Sequence, residues 1–389
     1  MKQPSALFIL NHLTTGGIQT QALLLAKYLK NELGFDVTFW WALSKQPNYT
    51  SLLDKEEISY RRIPDEISFL LSREYGLLNK AGKIKKIKQA IEVLNAGQYQ
   101  VVFPFAGSKK INFIYRFTKV KVSFVFERGG HPAPQKKPRD MYEWLGKMNK
   151  PVFVANSYHG ARAMEVMHGL PVNSAKTIRN AFVYRPVLNI GELWEEKLKN
   201  KPEDEVYFVM VANYFPEKDQ DTIIDAWNEL RPKNAKMFFA GLGGPQYCKD
   251  RMVALQAKVK TLGLEDDIRF LGSVRDTTLL LQYADVGVLS TKSEGCPNAI
   301  LEYMGAGLPI IATDVPGIRE VLPSSNLAFL FEYKSVKGFS EKLSPLLHNK
   351  SLRKKLGDEN YVHVRKAFNP EKMYCAYKEI LVQKKVLKE

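Results

Sequence analysis

Three cysteines in 389 residues, Cys248, Cys296 and Cys375, are all the thiol chemistry the sequence offers. They form no CxxC pair and leave one over in any disulfide scheme, which fits a reducing compartment and rules out a zinc knuckle. Histidine is equally sparse: six residues, with no HxxxH or HExxH spacing, suggest no metal site. Long apolar runs are missing as well. No stretch approaches the ~20 residues of a membrane-spanning helix, and the start, MKQPSALFILNHLTTGG, reads as a short buried strand rather than a secretory leader. These absences predict a cytoplasmic protein with no membrane span and no metal site.

What is present is an ordinary globular composition, 45% hydrophobic and 25% charged, in a chain long enough to favour two domains over one core. The net charge of +16 is unevenly placed. Residues 1–185 hold 28 basic against 13 acidic residues, +15, and residues 186–389 hold 29 against 28, +1. Such a field suits nucleic acid, an anionic membrane surface or a phosphorylated substrate, or it serves only solubility.

Strand and helix periods alternate along the chain. SALFIL is a strand, NHLTTGG a loop, IQTQALLLAKYLKNEL a helix and DVTFWW the next strand. Residues 77–94 place Ile84, Ile87, Ile91 and Leu94 on one helical face, with Lys80, Lys83, Lys85, Lys86 and Lys88 mostly elsewhere. VVFPF, VSFVF and PVFVA are further strands. The same local order starts again with YFVMVA, the loop NYFPEKD, the helix DTIIDAWNEL and the strand KMFFA, followed by strands at 268–271, 286–289 and 309–313. Alternation of this kind predicts parallel sheets covered by helices on both faces. The predicted boundaries are a first domain at 1–185, a polar connection near 185–202 and a second domain at 203–368. A last helix starts at Asn369 and Pro370, with Met373, Ala376, Tyr377 and Ile380 on one stripe.

The segment richest in chemistry is SEGCPNAILEYMGAGLPIIATDVPGIREVL, residues 293–322. Pro297 suits the first helical position, so a helix over 297–304 would aim its free N–H groups and positive dipole end at the turn Gly295-Cys296. An anion such as phosphate fits there. Glu294 precedes the helix and Glu302 lies on its polar side. Carboxylates next to a phosphate site are best used as acceptors for sugar or ribose hydroxyls, although a cap and a solvated helix residue are the plainer readings of each alone.

This segment closely resembles the donor-binding signature of the family 4 (group 1) retaining glycosyltransferases, E-G-x-P-N, then E-A-x-A-x-G-x-P, then G-G-x-x-E. It matches at both glutamates, at the Gly-x-Pro-Asn turn and at Pro309, Gly317 and Glu320. The resemblance implies a GT-B fold: two Rossmann-like α/β domains with parallel sheets facing across a cleft, with the helix at 369–389 packing back on the first. It implies a metal-independent transfer of a sugar to an acceptor hydroxyl from a nucleotide diphosphate sugar, which is the donor substrate, with no cofactor. Glu294 would hold donor-sugar hydroxyls and Glu302 the ribose. Backbone N–H groups over Gly295, Cys296, Pro297 and Asn298 would surround the distal phosphate, Pro297 itself supplying none. Lys218 of NYFPEKDQD would bind the diphosphate and stabilise the leaving group; its plainer reading is an exposed lysine. The family commonly has an arginine near Asn213, which is absent here. Gly16 and Gly17 of TTGGIQT resemble the glycine-rich loop after the first strand, or mark only a tight turn. FERGGHP makes Arg128 and His131 candidates on the acceptor side, a structural arginine and a solvated loop histidine being the alternatives.

GLGG, with Gly243, falls short of a dinucleotide fingerprint because position 246 is Gln; it fits the family's nucleotide-side loop. DQD contains an Asp-x-Asp, but Asp219 and Asp221 open a helix and read as cap and dipole partners. The implied partners are a nucleotide sugar and an acceptor glycan or lipid-linked saccharide, as in cell-surface polysaccharide or glycolipid synthesis. The basic first half would then face an anionic inner membrane surface, through Lys80 to Lys88 with Lys109, Lys110, Lys119 and Lys121. Competing readings are a nucleotide-sugar epimerase or phosphorylase on the same fold and a glycan- or nucleotide-binding protein that has lost turnover. A nucleic-acid binder would need a basic and aromatic motif that the sequence does not show.

Overall fold

The computed structural model describes residues 3–13, 16–42, 50–72, 74–105, 109–127, 129, 150–184, 195–241, 246–274 and 276–388. The chain forms two compact units, one of residues 1–128, 133–178 and 371–389 and one of residues 129–132 and 179–370. Among the described residues, no helix is long and apolar enough to cross a membrane.

The first unit holds a seven-stranded, all-parallel sheet. Its strands are β1 (Ser5–Leu10), β2 (Asp36–Trp41), β3 (Ser59–Arg62), β4 (Val101–Pro104), β5 (Val122–Glu127), β6 (Val152–Ala155) and β7 (Lys176–Thr177), in the order β3-β2-β1-β4-β5-β6-β7. β1 is buried along its whole length, as a central strand covered on both faces must be. Phe8 anchors the centre, stacked on Phe39 at 4.8 Å and on Phe103 at 4.6 Å. The helix Pro370–Gln383 belongs to this unit, where Tyr374 stacks on Tyr28 at 4.1 Å and Tyr377 meets Phe103 edge-on at 5.9 Å.

The helix Lys80–Ala96 corrects one expectation. Its core face is Ala90 and Leu94, supported by Ile87 and Ile91. Ile84 is 47% exposed, because contact with the core is confined to the second half of the helix. Asn79 caps its start by accepting from the Gly82 N–H at 2.8 Å.

The second unit repeats the design with β8 (Val206–Val211), β9 (Ala235–Ala240), β10 (Ile268–Gly272), β11 (Val286–Leu289), β12 (Ile310–Thr313) and β13 (Leu330–Phe331), ordered β10-β9-β8-β11-β12-β13 and again all parallel. Its core runs from Phe208 and Phe239 in the sheet to Trp227 and Phe339 in the covering helices. In both units the first strand of the unit is central and the chain winds outward to one side, then returns to the other. The switch points therefore lie between β1 and β4 and between β8 and β11, where crevices open at the carboxyl ends of the strands.

Gly287 in β11 shows how tightly the second switch point is packed. A Cβ there would strike the ring of Tyr303, which lies in the helix Asn298–Gly305. Gly287→Ala should therefore lower stability by about 1–3 kcal/mol through overpacking, measured by urea denaturation. Combining it with Tyr303→Ala should give less than the sum of the two single losses.

Candidate functional site

The carboxyl edge of the second sheet is assembled by hydrogen bonds that reach between loops. After β8 the chain runs to Lys218, whose backbone forms an isolated antiparallel bridge with Thr291. The Lys292 N–H donates to the Glu217 carbonyl at 2.9 Å and the Asp219 N–H to the Ser290 carbonyl at 3.1 Å, so the loops after β8 and β11 run side by side. Asp219 locks them. It is buried, caps the helix Gln220–Leu230, and accepts from the Thr222 hydroxyl at 2.6 Å and the Ser290 hydroxyl at 3.1 Å. Asp221 is paired with Arg251 at 2.7 Å and Lys258 at 3.3 Å. Both carboxylates of the DQD run are thus engaged in holding helices.

The loop after β12 completes the edge. The Thr313 hydroxyl accepts from the Thr291 N–H at 3.0 Å and donates to the Thr291 carbonyl at 2.7 Å. Gly317 lies against the carbonyls of Glu294 and Gly295, which occupy the space a Cβ would need. This close approach fixes the backbone just before the helix Asn298–Gly305. That helix starts one residue later than its sequence suggests: Pro297, at φ −70° and ψ 122°, is extended and is the N-cap, and its carbonyl accepts the first bond from the Leu301 N–H. A proline cap has no side-chain acceptor. Among the described residues, the first-turn N–H groups of Ala299 and Ile300 meet neither an intrahelical carbonyl nor a capping side chain, which leaves the positive end of the dipole facing the Gly295-Cys296 turn.

Lys218 and Glu294 form an ion pair at this edge, with their side chains 23% and 14% exposed. A cation, a carboxylate and an uncapped helix start thus occupy one corner of the switch point. This set can receive a phosphate on the lysine and the helix end while the carboxylate accepts from hydroxyls. Glu302 is half-buried on the same helix. Asn213 is exposed, and its carbonyl accepts from the Gln220 side chain at 3.3 Å. Gly16 caps the helix Gly17–Asn31 in the first unit in an extended conformation open to any residue, and a Cβ there would meet only the flexible end of Gln19. Gly17 is the first helical residue, and neither Gly16 nor Gly17 lies in the left-handed region that requires glycine. Gly243, Arg128 and His131 lie outside the described residues.

Sequence reasoning missed two contributors. The Tyr303 hydroxyl accepts from the Val211 N–H at 2.7 Å and donates to the Val288 carbonyl at 3.1 Å, joining β8 to β11 beyond their last paired residues, Val209 and Gly287. Burial pushes its phenol up, so it stays protonated and able to donate. The clue is a departure from the signature, which has alanine where this chain has Tyr303 and again where it has Gly305. Asn180 is the second: its buried amide donates to the Cys296 carbonyl at 2.7 Å and to Asn298 Oδ1 at 2.8 Å.

Tyr303→Phe keeps the ring and strands the Val211 N–H, so it should lower stability by about 1–3 kcal/mol. Urea denaturation of the full chain measures this; a loss near zero would mean that the hydroxyl does not join the strands.

Comparison with known proteins agrees with this architecture. The family described as glycosyl transferases group 1 matches residues 194–363. The chain is 27% identical over 179 residues to N-acetyl-alpha-D-glucosaminyl L-malate synthase of Bacillus anthracis, covering 46% of this chain and 45% of that protein. It is 26% identical over 171 residues to UDP-Gal:alpha-D-GlcNAc-diphosphoundecaprenol alpha-1,3-galactosyltransferase of Escherichia coli, covering 43% of each. The matched stretch spans about half the length of the first of these curated relatives. Among solved structures, Anabaena Alr3699/HepE in complex with UDP and glucose superposes with a TM-score of 0.77 at 16% identity, covering 98% of this chain and 100% of that one. At that identity the likeness is one of fold.

Proposed function

With a glycosyl transferases group 1 domain at residues 194–363 and a GT-B fold as the premise, we propose that this chain moves a sugar from a nucleotide diphosphate sugar to an acceptor hydroxyl, with retention of configuration and without a metal. The observation that carries this is the pairing of Lys218 with Glu294 beside the uncapped start of the helix Asn298–Gly305. Lys218 and the helix end take the diphosphate and stabilise the charge that develops on it as the sugar departs. Glu294 holds the sugar through its hydroxyls, and Glu302 takes the ribose. Catalysis then consists of positioning and charge stabilisation, with no protein nucleophile. Metal independence is supported by the engagement of Asp219 as a cap and of Asp221 with Arg251 and Lys258.

For the acceptor we propose a lipid-linked or membrane-proximal saccharide. The name of the E. coli relative includes a diphosphoundecaprenol substrate. The first unit exposes Lys80, Lys85 and Lys88 on the helix Lys80–Ala96, next to Leu77, 87% exposed, and Ile84. Lys119 and Lys121 are exposed on the same unit. This combination of cations with apolar side chains suits the inner face of an anionic bilayer.

The donor is tested with a panel of UDP-, GDP- and ADP-sugars, scored by thermal shift and by the anomeric configuration of the product, with and without EDTA. The expected result is stabilisation by one nucleotide class and turnover, with retention, that survives EDTA. A strict requirement for added Mn²⁺ or an inverted product would overturn the mechanism, and binding without turnover on any acceptor would favour a binding protein. Sedimentation with anionic liposomes at low salt should recover the protein in the pellet and release it as salt is raised; no binding at low salt would remove the membrane proposal.

A further inference from the structure

The residue that shapes the helix start lies outside the matched family segment. Asn180 is 6% exposed, and its Nδ2 points at two oxygens, the Cys296 carbonyl and Asn298 Oδ1. Since both neighbours are acceptors, only the NH₂ group satisfies them, and its two hydrogens match two bonds. These acceptors flank Pro297, the N-cap. Two consequences follow for the turn. The Cys296 carbonyl is held toward Asn180, which sets the orientation of the peptide entering the helix. The Asn298 side chain, whose oxygen is of the type that normally covers helix N–H groups, is drawn toward Asn180 as well.

The segment presenting Asn180 is itself fixed. The Phe182 N–H donates to the Phe368 carbonyl at 2.8 Å, and the Arg179 guanidinium lies 5.7 Å from the centre of the Phe368 ring. The Phe182 ring fills the space that a Cβ on Gly305 would need, at the far end of the same helix. Residues 179–182 therefore grip the helix Asn298–Gly305 at both ends, Asn180 at its start and Phe182 at its finish.

We infer that Asn180 is a positioning residue for the distal phosphate of the donor, acting through the turn Cys296 to Asn298; this rests on the reading of that helix start as the donor site. It touches no reacting atom. Its contribution is to hold the turn so that backbone N–H groups, rather than carbonyls or a capping side chain, face the anion.

The test uses calorimetric binding of nucleoside diphosphates and monophosphates (UDP and UMP, GDP and GMP, ADP and AMP), taking the base that binds the wild type. Asn180→Ala should weaken the diphosphate about tenfold and leave the monophosphate within about twofold, since only the distal phosphate sits on the turn. Asn180→Asp, which sets a carboxylate against two oxygens, should lose more. Asn298→Ala removes one of the two acceptors without altering the 179–182 segment. It should show the same selective loss in milder form, and combined with Asn180→Ala it should lose no more than Asn180→Ala alone. Equal weakening of diphosphate and monophosphate, or losses that multiply in the double variant, would overturn the inference. A wild type that binds diphosphate no better than monophosphate would overturn the donor-site reading itself, a pattern distinct from a discriminating wild type with indifferent variants.

Discussion

Everything proposed for the second unit depends on how two parallel strands part company. β8 and β11 pair through Phe208 with Val286 and Val209 with Gly287, and there the ladder stops. A switch point requires this divergence, because the connections from its two strands leave in opposite directions. It also leaves backbone groups to satisfy in a dry interior. Tyr303 resolves the conflict by placing one hydroxyl between the Val211 N–H and the Val288 carbonyl. Its ring needs the space over Gly287, so the glycine and the tyrosine act as one unit.

The loops at this switch point are held together by backbone as much as by side chains. Asp219, Ser290, Thr291 and Thr313 are buried polar residues that tie three loops together. Their hydrogen bonds account for polar groups that would otherwise be costly to bury. Gly317 lets the Glu294 and Gly295 carbonyls come close, and Pro297 occupies the N-cap without offering a side-chain acceptor. The result is a rigid frame in which the first helical turn presents donors toward the turn that precedes it. Lys218 and Glu294 are the charged side chains joined at this frame, and each is the other's partner. On the proposed function, a diphosphate would compete for Lys218 and so release Glu294 toward the sugar.

The architecture was legible in the sequence because it rests on period. Central strands such as SALFIL and YFVMVA are continuous apolar runs, and the helices between them keep one apolar stripe, so the alternation alone indicates two parallel α/β sheets. Ends were less legible. Pro297 satisfies the rules for both the first helical position and the position before it; the structure has it at the cap, next to a Cys296 carbonyl that Asn180 holds. Ile84 has the right angular position for the core but precedes the half of its helix that carries the buried residues Ala90 and Leu94. Among candidate site residues, the signature shows which segment to examine, and Lys218 and Glu294 do come together. Asn180 and Tyr303 could not be found this way. Their roles come from hydrogen bonds across 116 and 92 positions of sequence, and no local pattern encodes a contact of that range.

On the proposed function, Lys218 and Glu294, though paired, have separate tasks. The most direct measurement compares Glu294→Gln with the wild type in two assays, nucleoside diphosphate affinity and sugar transfer at saturating donor. Affinity should stay within a few fold, since Lys218 and the helix start are intact, while kcat should fall by about a hundredfold or more. Equal loss of affinity and turnover would overturn this division, because Glu294 would then be holding the phosphate site together rather than the sugar.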